Sequence, residues 1–139
     1  MNRKAKELHL TKTVFANPHG LSNILNVSSA KDMIFLSLYS FDNPTFREIV
    51  NCEQYASTFY GTNMQKADSV KTWVNTNKLL SLGWEGIKTG QTSSAGCCLA
   101  SVREGIFVVV LNSVSRDARF DDSIMLWEWY YDSSPIMKE

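Results

Sequence analysis

The sequence predicts an α+β fold, with helices first, then an antiparallel meander of strands, then a closing helix. Three observations carry this. Apolar residues recur at helical spacing over 30–41. The run Phe107-Val108-Val109-Val110-Leu111 is β-branched and aromatic, and it follows a tight-turn pair, Glu104-Gly105. Near the end, Asp121, Asp122 and Ser123 precede an aromatic-rich helical stretch.

Taken in order, Asn2 to Leu10 reads as a short helix with Ala5 and Leu8 facing inward. Thr13 to Ala16 is a short extended run, and Asn17-Pro18-His19-Gly20 is a turn. Ser28 and Ser29 are candidate caps for the next helix, with Asp32 in its first turn near the positive end of the dipole. Ala30, Met33, Ile34, Ser37, Leu38 and Phe41 form its stripe. Phe35, Leu36 and Tyr39 widen it, which predicts burial on most sides. Asn43-Pro44 opens a second short helix through Ile49 and Val50. Residues 51–74 read weakly as two strands, Tyr55 to Tyr60 and Val70 to Val74, separated by Gly61-Thr62-Asn63. Asn75 to Leu82 is a turn and a short apolar helix. Gly86 to Gln91, Cys97 to Arg103 and Ile106 to Leu111 are strands. The final helix spans Ile124 to Tyr131, with Trp127, Trp129, Tyr130 and Tyr131 expected in the packing. The organisation is a single domain over 1–139: a helical part at 1–50, connecting strands and a short helix at 51–82, and the meander with its helix at 83–139; that it is a partial domain is what the family resemblance described below implies.

Composition narrows the function classes. The 139 residues are 44% apolar and 20% charged, close to a soluble globular average. Fourteen basic residues balance fourteen acidic ones, so no nucleic-acid partner is expected. No apolar run approaches the roughly 18 residues of a membrane span, and the start MNRKAKELHL shows no secretory h-region. The three cysteines, Cys52, Cys97 and Cys98, are odd in number and two are adjacent, which favours reduced thiols; a pair between Cys52 and either neighbour stays open. His9 and His19 lie apart and no C-x-x-C occurs, so neither a zinc site nor any other cofactor is expected.

Two short motifs carry chemistry. Lys88-Thr89-Gly90 sits on a strand. There a lysine ammonium and a threonine hydroxyl suit a substrate carboxylate, the glycine lets substrate backbone lie close, and the Gln91 N–H suits an oxyanion. Ser28-x-x-Lys31 matches an acyl-transfer nucleophile motif, S-x-x-K. It is rejected as catalytic, because Ser28 and Ser29 are ordinary caps, Lys31 is a first-turn lysine, and no S-x-N follows. Arg116, Asp117, Arg119, Asp121 and Asp122 form a charged group read as solvated charge and capping, or as an arginine near a carboxylate site. Asn26-Val27-Ser28 is a formal glycosylation sequon read as chance.

Together these residues resemble the serine-type D-Ala-D-Ala carboxypeptidases, the low-molecular-mass penicillin-binding proteins. Met1-Asn2-x-x-Ala5-x-x-Leu8, Thr13-x-Phe15-x-Asn17-Pro18-His19-Gly20-Leu21 and Ser28-Ser29-Ala30-Lys31-Asp32-Met33 follow the family in order. So do Asn75-Thr76-Asn77-Lys78-Leu79-Leu80, Gly86-Ile87-Lys88-Thr89-Gly90-x-Thr92-x-x-Ala95-Gly96 and Arg119-Phe120. Gln91 and Cys97 stand where the family often has aromatic residues or histidine.

The resemblance implies part of a β-lactamase/transpeptidase-like fold, an antiparallel sheet with three C-terminal strands packed with helices. In that family the nucleophilic S-x-x-K and the S-x-N group precede the Met-Asn-x-x-Ala helix, so Ser28 is not the nucleophile. The expectation is a C-terminal half that supplies Lys88, Thr89, Gly90, Gln91 and Arg119 to a peptide ending in D-Ala-D-Ala, with no catalytic residue of its own. It would expose the Ile106–Leu111 edge and the apolar face of Ala30–Phe41, and would need a complementary N-terminal half, another copy of itself or a larger assembly. The other class left open is a non-catalytic structural subunit of a complex. The family is exported to the cell envelope.

Overall fold

The computed structural model describes residues 1–60 and 66–134. Its elements are α1 (Asn2–Glu7), α2 (Ala30–Phe41), α3 (Pro44–Asn51), β1 (Gln54–Tyr60), β2 (Lys66–Val74), a 3-10 helix (Lys78–Leu82), β3 (Glu85–Thr92), β4 (Gly96–Arg103), β5 (Ile106–Ser113) and α4 (Ala118–Ser133). Strands β3, β4 and β5 form one antiparallel sheet in that order, and β1 and β2 pair as a separate antiparallel ribbon. The α+β expectation therefore holds. The weakly signalled strands in 51–74 are real and pair Tyr55 with Trp73. Their proposed separator, Gly61-Thr62-Asn63, lies outside the described residues.

The core lies between the sheet and α4. Leu79, Trp84, Leu99, Val108, Val110, Phe120 and Trp127 form it, with Tyr131 stacked on Trp127 at 4.8 Å. Alternation along β4 and β5 sends Leu99, Val108 and Val110 to this face. It sends Val109 to the opposite face, where α2 packs and where Phe41 meets Phe107 edge-on at 5.5 Å. The Trp127 indole N–H donates to the Arg103 carbonyl, fixing α4 against the end of β4.

Several expectations are corrected. The last helix begins at Ala118, not at Ile124, because the Ser115 hydroxyl accepts from the Ala118 N–H and turns the chain earlier. Trp129 and Tyr130 are exposed and lie outside the core, at the cleft along the β5 edge and not between α4 and the sheet. α2 is not buried on most sides. Only Asp32 and Ser37 are buried, while Phe35, Leu38 and Tyr39 stand exposed because no described element covers that side.

Local chemistry explains why α2 and α3 sit where they do. Ser29, not Ser28, caps α2 by accepting from the Asp32 N–H. The buried Asp32 carboxylate then accepts from the Lys12 N–H at 2.8 Å and the Thr13 hydroxyl at 2.7 Å, tying the amino-terminal segment to the helix. Asn43 caps α3, whose end closes on β3. Asn51 accepts from the Gly86 N–H at 2.7 Å, and Glu85 takes Arg47 at 2.6 Å and Asn51 at 3.1 Å. A side chain at Gly86 would stand 2.4 Å from the Val50 carbonyl oxygen, so glycine is required by this close approach.

Candidate functional site

Among the described residues β3 is an edge strand, hydrogen-bonded only to β4. Lys88 and Thr89 alternate across it, and their surroundings differ accordingly. Thr89 pairs in register with Leu99, is 7% exposed, and shares a 2.5 Å hydroxyl–hydroxyl bond with Thr76. Lys88 pairs with Ala100 and is exposed; its ammonium donates to the Thr89 carbonyl. Beside Lys88 and Gly90 lies an apolar cavity of about 440 Å³, with Met33, Leu36 and Phe46 on one wall and Cys98 and Val109 on the other. Apolar walls carrying one cation are a frequent composition for binding sites.

The loop before the 3-10 helix holds β3 from behind. The Asn75 side chain donates to the carbonyls of Val50 and Cys52, both at 3.1 Å, and accepts from the Asn77 N–H. Asn77 accepts from the Leu79 N–H and caps the 3-10 helix. Thr76 between them thus reaches Thr89. Sequence reasoning gave Thr76 no role. The N-x-N spacing before an apolar pair is the capping signal that locates this loop.

Arg119 arrives from the first turn of α4. It is 7% exposed, and its Nη1 donates to the Gly90 carbonyl at 3.3 Å. Its Nε–H has no partner, and Arg119 makes no ion pair among the described residues. A buried guanidinium without an ion-paired carboxylate is costly. Gln91 points its side-chain oxygen at Arg116, whose Nε donates at 2.6 Å. The structure therefore gathers Lys88, Thr89, Gly90, Gln91 and Arg119 at one edge, and adds Arg116 and Thr76.

Ser28 and Lys31 do not join them. The Ser28 hydroxyl bonds to the Thr13 hydroxyl at 2.8 Å, and the Lys31 ammonium sits 6.0 Å from the Phe35 ring centre. Among the described residues the Ser28 hydroxyl bonds to the Thr13 hydroxyl and the Ser29 carbonyl, and to no lysine or histidine. Asp121 and Asp122 separate as well: Asp122 accepts from the Ser113 hydroxyl, while Asp121 is exposed. Asp117 pairs with Lys78 at 2.6 Å on the surface, and that hydrogen bond holds its carboxyl below the ordinary carboxylate range. All three cysteines are free thiols. Among the described residues no group of three His, Cys, Asp or Glu side chains is placed to hold a metal, and no helix is long and apolar enough to cross a membrane.

Comparison with known proteins gives a consistent result. The family description "D-alanyl-D-alanine carboxypeptidase" matches residues 1–115. A D-alanyl-D-alanine carboxypeptidase of Streptomyces sp. (strain K15) is 33% identical over 135 residues, covering 93% of this chain and 46% of its own length. D-alanyl-D-alanine carboxypeptidase DacF of Bacillus subtilis (strain 168) is 36% identical over 110 residues, covering 76% of this chain and 26% of its own length. Among solved structures, the Streptomyces K15 DD-transpeptidase superposes with a TM-score of 0.86 at 31% identity, covering 94% of this chain and 52% of its own. Penicillin-binding protein D2 from Listeria monocytogenes, in its cefotaxime-bound form, gives 0.70 at 29% identity, with 91% and 51% covered. The chain thus spans about half the length of these solved structures, and half or less of the curated relatives.

Proposed function

The chain belongs to the D-alanyl-D-alanine carboxypeptidase family, and from that premise we propose that these residues form the substrate-holding half of a serine-type acyl-transfer site. The carrying observation is Arg119, a buried guanidinium with an unpartnered Nε–H, hydrogen-bonded to Gly90 of the Lys88-Thr89-Gly90 strand. In this reading the terminal carboxylate of a D-Ala-D-Ala peptide approaches the Arg119 guanidinium, whose charge favours it. The substrate backbone lies along the free edge of β3, where Gly90 leaves room for it. The Gln91 N–H then faces the carbonyl oxygen that develops negative charge during attack. The Lys88 ammonium contributes positive charge on the cavity side.

Attack requires a nucleophile with an adjacent base. Neither Ser28 nor any described cysteine has one, so positioning is the contribution of these residues. The serine and its lysine come from a segment outside these 139 residues, seated over the apolar cavity beside Lys88. The half-exposed stripe of α2 is consistent with such a cover.

The test is covalent labelling. The chain is purified from its native source with whatever accompanies it and exposed to a labelled penicillin. Label on an accompanying segment, acquired at least roughly tenfold more slowly in Arg119→Gln, is the expected result. A stable complex containing this chain that takes no label overturns the enzymatic reading in favour of a structural subunit.

A further inference from the structure

We propose that Thr76 is a positioning residue for the Lys88-Thr89-Gly90 strand: its hydroxyl donates to the Thr89 hydroxyl and so leaves the single Thr89 proton free for the carboxylate of an incoming substrate. This rests on the acyl-transfer reading above, and it names a residue that acts on the substrate through another.

The loop that carries Thr76 is pinned on both sides. The Asn75 N–H donates to the Glu53 carbonyl at 2.8 Å, and its side chain donates to the carbonyls of Val50 and Cys52. Asn77 is buried, and its side-chain oxygen accepts from the Leu79 N–H at 3.1 Å. Thr76 is held between these two anchors, and its β-branch restricts rotation about χ1. Its hydroxyl oxygen ends 2.5 Å from that of Thr89. That lies at the short end of the range for O–H···O bonds, about 2.5–3.0 Å. Thr89 is buried, and its hydroxyl has no other partner among the described residues.

Counting protons decides the direction of this bond. Two hydroxyls carry two protons, and only one of them lies between the oxygens. If Thr89 donates, it offers only lone pairs to a third group. If Thr76 donates, Thr89 keeps its proton for that group, and accepting a bond makes it a stronger donor. The neighbourhood says what the third group is. One residue along the strand, the buried Arg119 guanidinium donates to the Gly90 carbonyl at 3.3 Å, and its positive charge attracts an anion. A carboxylate has only acceptors to offer, so its arrival selects the arrangement in which Thr76 donates. Thr76 is exposed, so water can serve its remaining lone pairs. Serine at this position keeps the donor. Valine keeps the shape and loses it.

The test compares two labels on the complex purified from its native source: a labelled penicillin, which carries a carboxylate, and the methyl ester of the same compound, which does not. Both labelling rates are taken on one preparation, so their ratio does not depend on how much of a variant folds. Thr76→Val is expected to lower the acid-to-ester ratio by roughly tenfold. Thr76→Ser is expected to hold it within about threefold of the unaltered complex. In a Thr89→Val background, Thr76→Val is expected to change the ratio no further, because the hydroxyl it acts through is gone. Three results overturn the proposal and leave the acyl-transfer reading in place. They are a Thr76→Val ratio equal to that of the unaltered complex, a Thr76→Ser ratio as low as that of Thr76→Val, and a further fall in the Thr89→Val background. An unaltered complex that takes neither label overturns both.

Discussion

At the residue scale, the two buried charges behave differently. Asp32 is fully served: the Thr13 hydroxyl above all, then the Lys12 N–H, hold its carboxyl below the ordinary carboxylate range of about 4. Its folded-state value lies below its unfolded one. The ionised form therefore stabilises the fold at neutral pH, and that stabilisation is lost as pH falls through the folded value. Asp32→Asn is expected to lower the melting temperature at pH 7 and to flatten its fall on acidification; an unchanged acid limb contradicts the assignment. Arg119 is the reverse case, a buried cation that makes no ion pair among the described residues and whose Nε–H has no partner. Arg119→Gln in the labelled complex should slow penicillin acylation roughly tenfold to a hundredfold, about 1.4–2.7 kcal/mol of transition-state stabilisation. Arg119→Lys should recover only part of the rate, because the ammonium lacks the planar fork.

At the element scale, β3 is held from two sides, by the end of α3 and by the Asn75-Thr76-Asn77 loop. Gly86→Ala drives a methyl group onto the Val50 carbonyl and should destabilise the chain by roughly 1–3 kcal/mol in chemical denaturation. Leu79→Ala, at 1% exposure beneath the same loop, should cost about 2–5 kcal/mol. The helices and strands here were mostly legible in the sequence, because each carries either a strong period or a strong punctuator. α3 has Asn43-Pro44, and the β4–β5 hairpin has Glu104-Gly105. The misses have physical reasons. α4 starts early because the Ser115 hydroxyl, outside the apolar pattern, accepts from the Ala118 N–H and turns the chain there. β1 and β2 signalled weakly because they form a two-stranded ribbon with little burial to impose alternation. Of the site, Lys88 to Gln91 and Arg119 were readable as motif residues. Thr76 and Arg116 gain their roles only through contacts 13 and 25 residues away along the chain, which no local pattern encodes.

At the scale of the whole molecule, the apolar surface is unevenly placed. Phe35, Leu38 and Tyr39 on α2 and Leu126, Trp129 and Tyr130 on α4 are exposed, while the α4–sheet interface is closely filled. A soluble protein rarely leaves such patches beside an open sheet edge unless something covers them. The chain's average composition and balanced charge give no hint of this, because composition does not record which face of a helix is covered. The chain spans about half or less of the relatives' length.

The central claim is that these residues hold an acyl-transfer substrate and do not attack it. Its most direct test is the intact mass of the 139-residue chain after prolonged exposure to penicillin. The account predicts an unmodified chain. A covalent adduct, mapped by fragmentation to Ser28, would contradict it.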